Sequence, residues 1–186
     1  MGQDARVRYT KMVIRDTFVS LLEKKPVNKI TVKEICALAE INRATFYKYY
    51  SDAFDLMDKI EDEILKELQE TIQSSLHEGI RKTLVQILEK MQESGKLYVT
   101  LFSGNGDTRF PMKIFQMCYR EIEADINRQF PELTSAQKAW LYIYVAQGSS
   151  GILHYWISSG MKQPPAEVGE FVETLIANTL KTYCKI

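Results

Sequence analysis

Apolar residues along the chain recur at intervals of three and four, and alternation of the strand type is scarce. That period predicts helices almost throughout. Val7, Ile14, Phe18, Leu21 and Leu22 form one stripe of a helix over 4–25, and Pro26 ends it, because proline disfavours helical backbone in the residue before it. Thr31-Val32-Lys33-Glu34 reads as a capping box, opening a short helix whose apolar face is Val32, Ile35, Cys36 and Ala39. Asn42 is a good N-cap for a second short helix over 43–50, with Phe46 and Tyr50 on one inward face. Ser51-Asp52 starts a long helix over 53–76, with Leu56, Ile60, Ile64, Leu68 and Ile72 four apart. Beyond it the pattern predicts helices over 80–94, 97–103, 111–130, 134–159 and 165–183, separated by glycine- and proline-containing breaks. The expectation is an all-α chain of about nine helices.

Charge divides the chain unevenly. Lysine plus arginine and aspartate plus glutamate both number 24, so the formal net charge is zero. Residues 1–51, however, hold ten bases against five acids, a net +5, leaving 14 against 19, a net −5, for the remainder. A basic first part joined to an acidic remainder points to nucleic acid as the partner of the first part. The expected division is therefore 1–51 for DNA binding and 52–186 for a second helical domain.

Two short helices joined by a tight turn, after a longer first helix and in the basic part of the chain, make a helix-turn-helix. With Phe46 and Tyr50 inward, the second helix presents Arg43, Ala44, Thr45, Tyr47, Lys48 and Tyr49 outward. Ala44 allows close approach to a groove. Thr45 suits a base edge or a thymine methyl, and Arg43 and Lys48 suit phosphate. Thr31, Lys33 and Asn42 complete the candidate DNA-binding set, and the amides at the Thr31 and Asp52 helix starts are expected to anchor phosphates.

The run TVKEICALAEINRATFYKYYSDAFDL, with Thr45-Phe46-Tyr47, Tyr50 and Leu56 at its centre, closely resembles the signature of the TetR family of bacterial transcription regulators. The resemblance covers roughly the first third of the chain. It implies a three-helix reading head, a homodimer on a palindromic double-stranded DNA operator, repression as the usual outcome, and a second domain that dimerises and binds a small effector. Three positions depart from the family. Glu40 stands where glycine is frequent, and is strained if the turn needs φ > 0. Ala44 also replaces a frequent glycine, and Ala53 stands where lysine is usual at the start of the fourth helix.

The second domain permits both jobs on its own terms. The helix over 134–159 has two apolar faces, one through Trp140, Tyr144, Gly151 and Tyr155, the other through Leu141, Val145, Ile152 and Trp156. A helix apolar on two faces is buried on two sides. The last helix, with Phe171 and Leu175, also carries more apolar surface than one core requires. Tyr144, Gly148, Gly151, Tyr155, Phe171 and Leu175 are the candidate dimer contacts. Tyr98, Phe102, Phe115 and Tyr119 are the candidate lining of a site for an unidentified small-molecule effector, although aromatics at this spacing are more often plain core.

Other classes lack support. The Ser135-Ala136-Gln137-Lys138 match to S-x-x-K has no companion motif, and Gly104-Asn105-Gly106 lacks the lysine of a phosphate loop. Glu61-Asp62-Glu63 reads as solvated charge on the exposed part of its helix. Neither an enzyme nor a cofactor nor a metal site is expected. The longest apolar run, 139–146, is far short of the ~20 residues of a membrane span. Three dispersed cysteines, Cys36, Cys118 and Cys184, suggest a reducing cytoplasm, each as a small buried hydrophobe. The rival reading is a protein-binding co-regulator or coactivator that keeps the scaffold without repressing.

Overall fold

The computed structural model describes residues 2–103, 105, 107 and 109–182, with side chains described for all of these except 2–4, 121–126, 128 and 129. Cys184, Tyr183 and the loop glycines Gly104 and Gly106 lie outside the described residues. Among the described residues there are nine α-helices and no strand: α1 (Gly2–Leu22), α2 (Val32–Leu38), α3 (Arg43–Tyr47), α4 (Ala53–Ser75), α5 (Ile80–Glu93), α6 (Gly95–Leu101), α7 (Phe110–Gln129), α8 (Ser135–Ser158) and α9 (Pro165–Lys181). The all-helical expectation holds. Two 3₁₀ turns were not foreseen, Val27–Lys29 after Pro26 and Leu76–Glu78 after α4. The third helix is shorter than its pattern suggested, ending at Tyr47 rather than at 50.

The chain packs as two compact units, Met1–Ile64 with Thr100–Thr108, and Leu65–Val99 with Arg109–Ile186. In the first, Ile14, Phe18 and Leu22 of α1, Ile35 of α2, Phe46 of α3 and Leu56 of α4 are fully buried. Asn105 belongs to this unit and stitches it together: its side-chain amide donates to the Leu22 carbonyl (3.0 Å), and its own carbonyl accepts the Val27 amide (3.1 Å). The end of α1 and the first 3₁₀ turn thus have backbone groups satisfied by a residue some eighty positions away.

The second unit centres on Leu68, Leu88, Met91, Trp156, Ile157 and Val172. Alpha helices α5 and α9 cross closely at Gly169, where a Cβ would stand 2.9 Å from Val85 Cγ2. The turn after α8 is fastened twice, by Trp156 Nε1 donating to the Gln163 carbonyl (3.0 Å) and by Gln92 Nε2 donating to the Met161 carbonyl (3.2 Å). Gly160 (φ 86°) ends α8, and the Met161 amide reaches back to the Trp156 carbonyl (2.8 Å), the bond pattern of a left-handed helix terminus.

Glu61 departs from the expectation of solvated charge along Glu61-Asp62-Glu63. It is 1% exposed, while Asp62 and Glu63 on the same turn are exposed. Cys36 is buried as expected, whereas Cys118 is half-buried. Among the described residues no helix is long and apolar enough to cross a membrane, and no cluster of His, Cys, Asp and Glu is placed to hold a metal ion.

Candidate nucleic-acid interface

The head builds one exposed face around α3, and each end of that helix is fixed by a side chain. At the start, the Asn42 Oδ1 accepts the Thr45 amide (2.7 Å) and the Thr45 hydroxyl (2.9 Å). The cap satisfies one orphan amide of the first turn. It also turns the Thr45 hydroxyl proton inward, so the oxygen's lone pairs and the methyl group are what Thr45 offers outward. At the end, Lys59 of α4 donates to the Tyr49 carbonyl (2.8 Å) and pairs with Asp55 (2.9 Å). Phe46 and Tyr50 anchor the helix from below, both buried, with ring centroids 5.6 Å apart. Burial pushes the Tyr50 phenol pKa up.

Above that anchor, Arg43, Ala44, Tyr47 and Lys48 are exposed, and Thr45 and Tyr49 are partly exposed. Tyr47 stands edge-on to Phe46, with centroids 5.7 Å apart, so its hydroxyl projects from a supported ring. Lys11 of α1 places its amine 5.7 Å from the Tyr49 ring centroid. Arg43, Ala44, Thr45, Tyr47, Lys48 and Tyr49 thus lie on one short element with Asn42 at its start; Thr31 and Lys33, both exposed, lie at the start of α2.

The start of α2 is a full capping box. The Thr31 hydroxyl accepts the Glu34 amide (3.3 Å), and the Glu34 carboxylate accepts the Thr31 amide (3.1 Å). Lys25 pairs with the same carboxylate. The Lys25 ammonium, then the Thr31 hydroxyl and amide, hold the Glu34 pKa down at about 2. The turn after α2 puts Glu40 at φ 53°, with the Ile41 amide donating to the Cys36 carbonyl (3.1 Å). This is the left-handed terminus glycine ordinarily fills, so the strain foreseen for Glu40 is present.

The start of α4 departs from the sequence expectation. Asp52 Oδ1 already accepts the Phe54 and Asp55 amides (2.8 and 2.9 Å), and Asp55 accepts the Ser51 amide (2.8 Å). These amides are not open to phosphate, because carboxylates of the same turn fill them. Ala53 is buried. Lys11, Asp55 and Lys59 are the supporting residues that sequence reasoning missed. The four-residue spacing of Asp55 and Lys59 was a signal for their pairing, but not for the reach to Tyr49.

In the second unit, one face of α8 is exposed, with Trp140 67%, Tyr144 66% and Tyr155 71% accessible, and Gly148 and Gly151 between them. The opposite face is covered, with Trp156 buried and Leu141, Val145 and Ile152 half-buried. Phe171 and Leu175 of α9 are exposed too. Of the effector candidates, Tyr98 on α6 is buried in this unit, Phe102 just after that helix is buried in the first unit, and Phe115 and Tyr119 share a half-buried face of α7. Tyr119 packs on Tyr142 of α8, with centroids 4.1 Å apart. The Tyr142 hydroxyl is buried with no hydrogen-bond partner among the described residues, and burial pushes its pKa up.

A capped, outward-facing α3 beside α2, joined to a separately packed helical unit, defines a helix-turn-helix regulator. Comparison with known proteins agrees. A family model for the transcriptional regulator C-terminal region, TetR_C_8, matches residues 78–178. The chain belongs to the TetR family of transcriptional regulators. It is similar to the uncharacterised HTH-type transcriptional regulator YxbF of Bacillus subtilis strain 168, 20% identical over 175 residues and 88% of this chain; the match spans 44% of that relative's length. Among solved structures it is similar to the dihydroxyacetone kinase operon activator DhaS (20% identity, TM-score 0.64, 95% of this chain and 98% of that one). It is also similar to a TetR transcriptional regulator from Streptococcus agalactiae 2603V (20%, 0.66, 95% and 98%) and to the fatty acid degradation regulator FadR from Bacillus halodurans (14%, 0.65, 90% and 94%). At these identities the likeness is one of fold.

Proposed function

We propose that this chain is a homodimeric, ligand-responsive repressor that acts in the cytoplasm and reads a palindromic operator by placing α3 of each subunit in the major groove. In this reading residues 1–51 recognise DNA and residues 52–186 dimerise and bind the effector. The observation that carries it is the exposed face of α3, held at both ends by Asn42 and Lys59 and bearing Arg43, Ala44, Thr45, Tyr47 and Lys48. A five-residue helix is too short to be stable by itself. Fastening it so firmly while leaving its outer face uncovered suits a rigid reader of base edges.

Dimerisation through α8 and α9 is supported by the exposed aromatics Trp140, Tyr144, Tyr155 and Phe171. Large aromatic side chains left exposed along two helices suit a protein interface. A Cβ built at Gly148 or Gly151 would meet nothing within 4 Å, which leaves room there for close approach of a partner helix. Two heads about 34–36 Å apart, one turn of DNA, or somewhat more, would read a palindrome. An effector in the second unit acts by favouring one spacing of the heads over another. The half-buried Phe115 and Tyr119 of α7, with Tyr119 against Tyr142, whose hydroxyl has no hydrogen-bond partner among the described residues, support an effector with an apolar body and one hydrogen-bonding group.

The test is an electrophoretic shift with the intergenic DNA upstream of the protein's own gene, run at increasing salt. A salt-sensitive shifted band, lost in the Tyr47→Ala/Lys48→Ala double variant, is expected. No salt-sensitive binding to any neighbouring intergenic duplex sinks the reading. Light scattering on the same sample reports the dimer, and Tyr155→Glu is expected to give monomers.

A further inference from the structure

The α3 face carries little positive charge for a DNA reader: Arg43 and Lys48 are its two bases. The neighbouring start of α4 adds none, since Asp52 and Asp55 occupy it and Ala53 is buried. Lys59, the nearby base of α4, is committed to the Tyr49 carbonyl and to Asp55. Beyond Lys33 of α2, which is exposed, further cations for the groove wall are held by α1. Arg8, Lys11 and Arg15 are three and four residues apart and share one stripe of that helix. Arg15 is paired with Glu63 at 3.5 Å. Arg8 and Lys11 are exposed, and among the described residues neither has a carboxylate partner. Asp16 falls on a different side of α1, in register with Met12 and Tyr9.

The contact between Lys11 and Tyr49 fixes where this stripe lies. An amine 5.7 Å from the Tyr49 centroid stands against the residues that directly follow α3. The major groove is only about 12 Å wide, so a helix inside it has a sugar-phosphate strand on each side within reach of a lysine. An exposed amine over a ring is weakly held and can exchange that ring for a phosphate. Arg8, one turn earlier on α1, extends the line by about 4.5 Å at 1.5 Å per residue.

We propose that Arg8 and Lys11 of α1 form a phosphate-binding ledge beside α3, gripping the backbone strand that borders the groove α3 enters. The ledge rests on the DNA-reading role proposed above and adds a binding site on a helix outside the helix-turn-helix. Its contacts carry no sequence information; they position the head and add to the salt dependence.

Fluorescence anisotropy of the full chain on a fluorescein-labelled duplex from upstream of its own gene tests this between about 50 and 200 mM salt. Losing one phosphate contact makes the slope of log affinity against log salt shallower by about 0.9. Lys11→Gln is thus expected to bind more weakly at low salt, with its deficit shrinking about 3.5-fold across that range. Arg8→Gln/Lys11→Gln is expected to lose about 1.8 in slope, a roughly 12-fold shrinkage. Lys11→Arg should keep the slope of the unaltered chain, as should Lys181→Gln, which makes the same charge change on α9. Glutamine variants that keep the unaltered slope overturn the ledge and leave the α3 reading standing. Failure of the unaltered chain to bind at all overturns both.

Discussion

Replacing Glu40 by glycine should stabilise the head although it removes a side chain. Glu40 sits at φ 53° with its side chain exposed, so the substitution relieves backbone strain and removes no core contact. A left-handed conformation costs an L-residue about 1–2 kcal/mol. Against this, glycine makes the unfolded chain freer by about 0.4–1 kcal/mol. The difference leaves a net gain of about 0.5–1 kcal/mol, equivalent to about 1–4 °C in a chain of this size. Glu40→Ala removes the same carboxylate but keeps a Cβ, and so keeps the strain; it should be neutral or slightly destabilising. Urea unfolding followed by circular dichroism compares the three chains, reading the midpoint at constant slope. If glycine proves no more stable than alanine at this position, the turn carries no backbone strain and the reasoning fails. The Ile41 to Cys36 bond should persist in both variants, protecting that amide from hydrogen exchange equally.

Asn42→Ala removes the cap of a five-residue helix and should cost about 1 kcal/mol of head stability in urea melts, with a parallel loss in the mobility-shift assay. Glu34 has its folded pKa lowered to about 2, so its contribution is present above the unfolded carboxylate range and is lost as pH falls toward 2. Glu34→Gln should therefore be less stable than the unaltered chain at pH 7, with the gap closing between pH 4.5 and 2 in denaturant titrations. Gly169→Ala would bring a methyl within 2.9 Å of Val85 Cγ2. Overpacking of about 1–3 kcal/mol is set against about 1 kcal/mol of helix propensity, so a loss of up to about 2 kcal/mol is expected. A double-mutant cycle with Val85→Ala should show the two changes costing less together than separately.

Local rules reached far in this chain and stopped where distant residues took over. The capping box at Thr31 and Glu34, the Asn42 cap and the inward pair Phe46 and Tyr50 are spacings of three and four, readable as such, and the structure has each of them. The two faces of α8 were equally legible, and one is covered while the other is open. The end of α3 was not legible, because the Tyr49 carbonyl is satisfied by Lys59, ten residues further on. A helix pattern continued through 48–50 cannot register such a donor. Glu61 was misread for a related reason. Its charge argued for the surface, but α4 is buried over a wider arc than its Ile60-Ile64-Leu68 stripe, and Met57, one turn before, is buried as well. The role of Asn105 had no local signature at all. Within the candidate site, residue identities came from the sequence. The commitment of the Asp52 and Asp55 carboxylates, and the approach of Lys11 to Tyr49, came only from packing.

The bonds from Asn105 to Leu22 and Val27 make the head a discontinuous object. The chain passes between the two packed units three times, at 64/65, 99/100 and 108/109. A reading head transplanted onto another regulator as residues 1–51 would leave behind the first turns of α4, with Lys59, and the Asn105 clamp. The Leu22 carbonyl and Val27 amide would then face solvent. Chimeras that exchange heads within this family should work best when segment 100–108 travels with the graft, so the interchangeable module here is a pair of segments and not a contiguous stretch.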